Sequence, residues 1–181
     1  MSVVKVEFQG DLAIITIDNP PVNALSQSVR SGIMAVMEEV DGNSEAKAAV
    51  LICAGRTFCA GADIREFDSP PRPPHLSEVI ARVEASDKPV VAALHGTALG
   101  GGFELSMGCH YRVALPSARV GLPEVTLGLL PGATGTQRLP RLIGAEQALD
   151  MMVTGKPISA VAADAAGIVD QLIEDEDLLI G

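Results

Sequence analysis

Apolar and polar positions alternate or run together in short blocks along this chain, and the blocks change period in a regular order. "VVKVEFQG" and "LAIITID" flank Gly10-Asp11, the pattern of a β-hairpin. After the break at "NPPVNALS", the stretch "SQSVRSGIMAVMEEVDG" places apolar residues at 29, 33, 36, 37 and 40, one face of a helix. "AAVLICAG" reads as a buried strand, and "RTFCAGADIREF" as a loop holding a short helix. A helix near 76–86, the strand "PVVAALHG" and a glycine run that opens another helix follow. "YRVAL" is a strand, "RVGLPEV" a short extended piece, and "GATGTQRLPRLIG" a loop entering a helix. Two helices, "AEQALDMMVTG" and "SAVAADAAG", precede a last strand in "IVDQLI". Strands alternating with helices predict an α/β fold with short crossovers. "SPPRPPH", at 69–75, has four prolines in seven residues and predicts a mobile surface excursion, not a domain boundary.

Composition narrows the picture. The 181 residues suit one domain with a substantial core. Aromatics make up only 3% and Trp is absent, so the core is aliphatic, as in a sheet covered on both faces. A net charge of −10 argues against nucleic acid or an anionic membrane as partner. No apolar run approaches the roughly 20 residues that span a bilayer. The N-terminus carries no signal-peptide pattern, and the tail "EDED" at 174–177 is a solvated acidic run. Cys53, Cys59 and Cys109 are odd in number and set in apolar sequence, which speaks against a disulfide framework or zinc site and for a reducing compartment.

Two stretches share one design. "LICAGRTFCAGADI" and "VVAALHGTALGGGFEL" each run from an apolar strand through a Gly/Ala-rich turn into a helix. Such turns bring backbone close to a ligand, and a helix start leaves N–H groups without intrahelical partners. Facing one point, two such elbows would clamp a developing oxyanion. Neither is a P-loop or a dinucleotide fingerprint. Each alone could be only a tight turn, and the pairing favours function.

Two carboxylates sharpen this. Glu104 lies in the first turn after the glycines, and Glu124 sits in "VGLPEVTLGLLPG", a stretch almost without other charge. Brought together, they would push each other's pKa values apart, so that one holds a proton while the other is ionised. Such a pair can bind a water, take its proton and deliver another. That chemistry fits addition of water to a polarised double bond.

At these residues the sequence resembles the crotonase (enoyl-CoA hydratase/isomerase) family. The matching stretches are "FCAGADI" (58–64), "HGTALGGGFEL" (95–105), "GLPEVTLGLLPGATGTQRLPRLIG" (121–144) and "ALDMMVTGKPISA" (148–160), and the similarity runs from about residue 5 to 173. The segment around Glu124 looks most like the hydratase part of multifunctional β-oxidation enzymes, which carry a 3-hydroxyacyl-CoA dehydrogenase downstream. The resemblance implies a single crotonase-like domain built as a spiral of ββα units. It implies hydration of a trans-2-enoyl-CoA with no cofactor or metal. Glu104 and Glu124 match the catalytic glutamates, and Ala62 and Gly101 match the backbone donors to the thioester oxygen. In the family Glu124 protonates C2 and Glu104 activates water; the residues themselves fit either assignment. Contacts to the CoA ester are implied at Ala24, Leu25, Ala60, Ala62, Asp63, Ile64 and Gly101, with Phe103 and the segment after 66 shaping the acyl pocket.

The chain stops at "EDEDLLIG", where the family continues into C-terminal helices, so the expectation is a core domain without that extension. A homotrimer or hexamer and a further dehydrogenase domain or subunit are implied partners. The compartment is the cytoplasm, or a peroxisomal or mitochondrial matrix in a eukaryote. A Δ3,Δ2-enoyl-CoA isomerase is the nearest alternative, and a non-catalytic crotonase-fold binding subunit comes from another class. A serine or cysteine hydrolase fits poorly, since no Gly-x-Ser-x-Gly elbow is present. His95 and His110 border apolar strands and read as structural, and Cys59 and Cys109 read as small buried hydrophobes.

Overall fold

The computed structural model describes residues 2–66 and 70–174. The expected hairpin forms from β1 (Val4–Gln9) and β2 (Leu12–Ile17), paired antiparallel. Its inner face carries Ala13, Ile15 and Ile17, each almost wholly buried. Helix α1 (Gln27–Gly42) follows, with Ser26 at its N-cap, and packs Val29, Ile33, Val36, Met37 and Val40 inward, the stripe its periodicity predicts. Strand β3 (Ala48–Cys53) returns parallel to β2, and the crossover through α1 makes the first β-α-β unit.

Helix α2 (Leu76–Glu84) leads to β4 (Val90–Leu94), then β5 (Thr97–Leu99), α3 (Gly101–Gly108) and β6 (Tyr111–Ala114). Strand β7 (Arg119–Gly121) precedes a 3₁₀ turn at Glu124–Leu127, then α4 (Gly135–Ile143) and α5 (Ala145–Thr154). A short β8 (Ile158–Ser159), α6 (Ala160–Ala165) and β9 (Gln171–Leu172) complete the order. The main sheet runs β1-β2-β3-β4-β6-β9, with every pair after the hairpin parallel. A second sheet, β5-β7-β8, stands apart from it.

All eight residues of α3 are buried, and it packs on both α2 and α4 while rising from β5. The helix is therefore polar only where its sequence places Glu104 and Ser106, and the serine hydroxyl is answered by the Phe103 carbonyl at 2.8 Å. Among the described residues no helix is long and apolar enough to cross a membrane. The acidic run beyond Glu174 lies outside the described residues.

One reading of local structure needs correction, and two features add to the expected picture. The piece around Glu124 is not extended past Gly121: Pro123 and a left-handed Gly128 (φ 71°) bracket the 3₁₀ turn. The second sheet was not foreseen, because strands of two or three residues leave no period to read. The proline-rich segment, described from Pro70, is a surface excursion as expected, with residues 70–73 exposed, and it is joined to α1 through two of its carbonyls. The guanidinium of Arg30, 8% exposed, donates to the carbonyls of Leu25, Arg72 and Pro74 and to Glu66, at 2.7–3.0 Å. A surface loop rich in proline leaves its carbonyls unpaired, and one buried arginine collects them.

Candidate active site

The two elbows come together. Leu25 N–H donates to Gly61 O at 2.9 Å, Ala60 N–H to Val22 O at 3.0 Å, and Leu99 N–H to Cys59 O at 2.9 Å. These bonds hold the loop after β3 beside β5 and the start of α3. A β-carbon on Gly101 would lie 3.4 Å from the Ala62 nitrogen, and one on Gly61 would lie 3.7 Å from the Gly101 nitrogen. The two N–H groups are therefore neighbours, and among the described residues neither donates to a protein acceptor. Gly100 turns the chain into the helix at φ 52°, ψ −128°, which a residue with a β-carbon rarely adopts. Gly102 permits the contact with the first elbow: a β-carbon there would stand 2.6 Å from the Cys59 carbonyl oxygen.

Ala62 and Gly101 both line a cavity of about 510 Å³. Its polar lining includes Glu104 and Glu124, and its apolar walls include Leu76, Leu127, Leu129 and Leu130. Leu127 is 65% and Leu130 78% exposed, so the mouth of the cavity is an apolar rim. A second cavity, lined by Arg30, Asp63, Glu66 and Pro71, shares Ala62, His75, Leu76 and Leu129 with the first.

The carboxylates differ in how they are held. Glu104 is 2% exposed, and its Oε1 accepts from Ala133 N–H at 2.8 Å and Gly135 N–H at 2.7 Å. Burial pushes its carboxyl above the ordinary range, and the two amides pull it part of the way back. Glu124 projects from the 3₁₀ turn, and among the described residues its buried Oε2 has no hydrogen-bond partner. Burial raises its carboxyl too; its own backbone N–H works the other way, and the charge of Glu104 adds to the rise. Gly100 gives Glu124 room, since a β-carbon there would stand 3.1 Å from its Oε1.

The remaining sequence candidates sort by position. Ala60, Ala62, Ile64 and Gly101 line the first cavity, and Ala62 and Asp63 the second. Arg65 grips Asp63 at 2.9 and 2.7 Å and holds its carboxyl below the usual range. Ala24 and Leu25 line neither cavity; Leu25 is fully buried and paired with Ala62, so it shapes the site through backbone. Phe103 is also fully buried in the core, and the leucines of the rim form the walls in its place. Residues 67–69 lie outside the described residues. The donors Ala133 and Gly135 escaped the sequence reading, because an amide that holds a carboxylate leaves no side chain to see.

His95 Nε2 meets the Cys53 carbonyl at 2.7 Å, and His110 Nδ1 accepts from Val90 N–H at 3.0 Å, so both serve the framework. Burial pushes the Cys59 and Cys109 thiols up to about 12, which leaves them inert as nucleophiles. Among the described residues no group of three or more His, Cys, Asp or Glu side chains is placed to hold a metal ion.

Residues 7–180 match the family model described as enoyl-CoA hydratase/isomerase. The chain belongs to the enoyl-CoA hydratase/isomerase family. It is 54% identical over 163 residues to a peroxisomal bifunctional enzyme of Danio rerio, covering 90% of this chain and 23% of that protein. It thus spans about a quarter of the length of such curated relatives. A probable enoyl-CoA hydratase of Bacillus subtilis is 39% identical over 183 residues, covering 97% of this chain and 71% of its own. A crystal structure of enoyl-CoA hydratase subunit I from Geobacillus kaustophilus superposes with a TM-score of 0.90 at 40% identity, covering 98% of this chain and 71% of that one. The α/β architecture is therefore the crotonase fold, as the motifs imply.

Proposed function

We propose that the chain hydrates a trans-2-enoyl-CoA to the 3-hydroxyacyl-CoA. The observation that carries this is one apolar cavity lined by Ala62 and Gly101, whose N–H groups have no protein acceptor among the described residues, and by two carboxylates in unlike settings, Glu104 buried and Glu124 half-buried. The thioester oxygen lies against the N–H of Ala62 and Gly101, at the positive end of α3, where negative charge is favoured. Glu104, with one oxygen fixed by two amides, orients water and accepts its proton as the C3–O bond forms. The π electrons of the C2=C3 bond move onto the thioester as an enolate. Glu124, whose lone buried oxygen favours the neutral acid, gives a proton to C2 and restores the carbonyl. Proton return from Glu104 to Glu124 closes the cycle, and the balance calls for no cofactor.

The CoA ester passes Ala60, Ala62, Asp63 and Ile64, with Ala24 and Leu25 acting through main chain. The leucine rim takes the acyl group. We further infer a homotrimer or hexamer associated with a dehydrogenase domain or subunit, working in the cytoplasm or a peroxisomal matrix. The three cysteines, all free and buried, accord with a reducing compartment.

Loss of the conjugated enoyl-thioester absorbance with crotonyl-CoA tests the reaction. Rapid loss is expected. Measurable CoA-ester binding without loss overturns the hydratase reading; turnover of a 3-enoyl-CoA in its place identifies the isomerase, and neither activity a binding subunit.

A further inference from the structure

Thr134 is a β-branched residue at φ 83°, ψ 5°, a left-handed conformation that such side chains rarely occupy. It stands between the two amides that hold Glu104, those of Ala133 and Gly135. In this conformation successive N–H groups turn to one side, which is how both reach the same carboxylate oxygen. An extended Thr134 would point them apart. Something must therefore hold the residue where its own preference does not.

The Thr134 carbonyl accepts from Gln137 N–H at 2.9 Å and Arg138 N–H at 3.0 Å, and its side chain is held from one helical turn further on. Arg138 Nε donates to Thr134 Oγ1 at 2.8 Å. The same guanidinium grips Glu84, at the end of α2, through Nη1 at 2.6 Å and Nη2 at 2.7 Å. The Arg138 side chain is 17% exposed and that of Glu84 57%, so the chain of contacts runs from the protein surface inward to the cavity. A planar guanidinium meets a hydroxyl and a bidentate carboxylate with donors in one fixed fork, a geometry that an ammonium on a flexible stem does not fix. We propose that Arg138 is a positioning residue for Glu104, acting through Thr134, with Glu84 fixing its orientation. This rests on the reading of Glu104 as the group that handles water.

The test uses the full chain and two readouts. Amide hydrogen exchange at Ala133 and Gly135 reports the hold on Glu104 whether or not the protein turns over substrate. In Arg138→Met these amides are expected to exchange about tenfold or more faster, while core amides of β3 and β4 keep their wild-type rates. With crotonyl-CoA, kcat falls roughly 10- to 100-fold while KM stays within about twofold, as for a misplaced catalytic group. Glu84→Gln gives a smaller change in the same direction. Thr134→Asn, which tolerates the left-handed backbone and offers an acceptor, recovers most of what Thr134→Val loses. Should Arg138→Met fail to fold, that pair decides. Wild-type exchange at 133 and 135 in Arg138→Met, or equal behaviour of the two Thr134 variants, overturns the inference. A wild-type chain inactive on crotonyl-CoA, with the exchange response intact, removes the hydratase reading and leaves this one standing.

Discussion

Glu104 and Glu124 are the same residue type, line the same cavity and are supported in opposite ways. Glu104 grows from a wholly buried helix, and two backbone amides meet one of its oxygens. Glu124 hangs from a four-residue turn, and its buried Oε2 meets no partner among the described residues. Two N–H bonds to one oxygen favour the anion of Glu104, whereas the unpartnered oxygen of Glu124 gives its anion less support. Burial raises both carboxyls, and the fold gives these chemically identical groups unlike hydrogen-bond support. This is what water addition needs, since one group must take a proton while the other gives one.

The sharpest way to break the comparison is to remove each acid function while keeping its shape. Glu104→Gln and Glu124→Gln should each lower kcat for crotonyl-CoA by about 10²–10⁴-fold, the usual contribution of a general acid or base. The double variant should lie within roughly tenfold of the worse single one, because groups acting as a unit are not additive. Additive losses would mean the two carboxylates do not share a step. Next in size is the oxyanion side. Ala62→Pro deletes an N–H that makes no protein hydrogen bond, and should cost about 10²–10³ in kcat, the loss of one donor. Retained kcat would place the thioester oxygen elsewhere.

What the sequence reveals of this site follows from which atoms carry it. The glycines at 100–102 and the two solitary glutamates stand out because each is locally expensive and therefore visible. The hairpin, α1 and the parallel strands are visible because their apolar periods are long enough to count. Ala133 and Gly135 hold a carboxylate by main chain, so their letters say nothing. Arg30 and Arg138 read as ordinary cations, because the groups that they tie together lie up to 44 and 54 residues away in sequence. Local cost is legible in a chain; long-range hydrogen bonding is not.

The third test exchanges each glutamate for an apolar residue of similar length and reads stability. Glu104→Met leaves the Ala133 and Gly135 amides buried without an acceptor, each worth about 1–3 kcal/mol. Glu124→Met removes a buried oxygen that has no partner and should stabilise by roughly 1 kcal/mol, about 2–4 °C in Tm for a chain of this size. Opposite signs in thermal melts at pH 7 are the expected outcome. Equal signs would show that the two settings do not differ in the way their hydrogen bonds imply.

The smallest effect is the pH dependence of that gain. The carboxyl of Glu124 is raised in the folded state, through burial and the neighbouring Glu104 charge, and sits near 4.5 when unfolded. Below that unfolded value both states hold the proton, and the acid costs the fold nothing by ionising. As pH rises through the folded value, the unfolded chain has already released its proton and the folded chain resists, so wild type loses stability. The Tm advantage of Glu124→Met should therefore be least near pH 4, grow as the pH passes the unfolded and then the folded value, and level off above it. A gain that shrinks with rising pH would reverse the sign of the shift. It would make Glu124 the group held as an anion, and the roles of the two glutamates would then exchange.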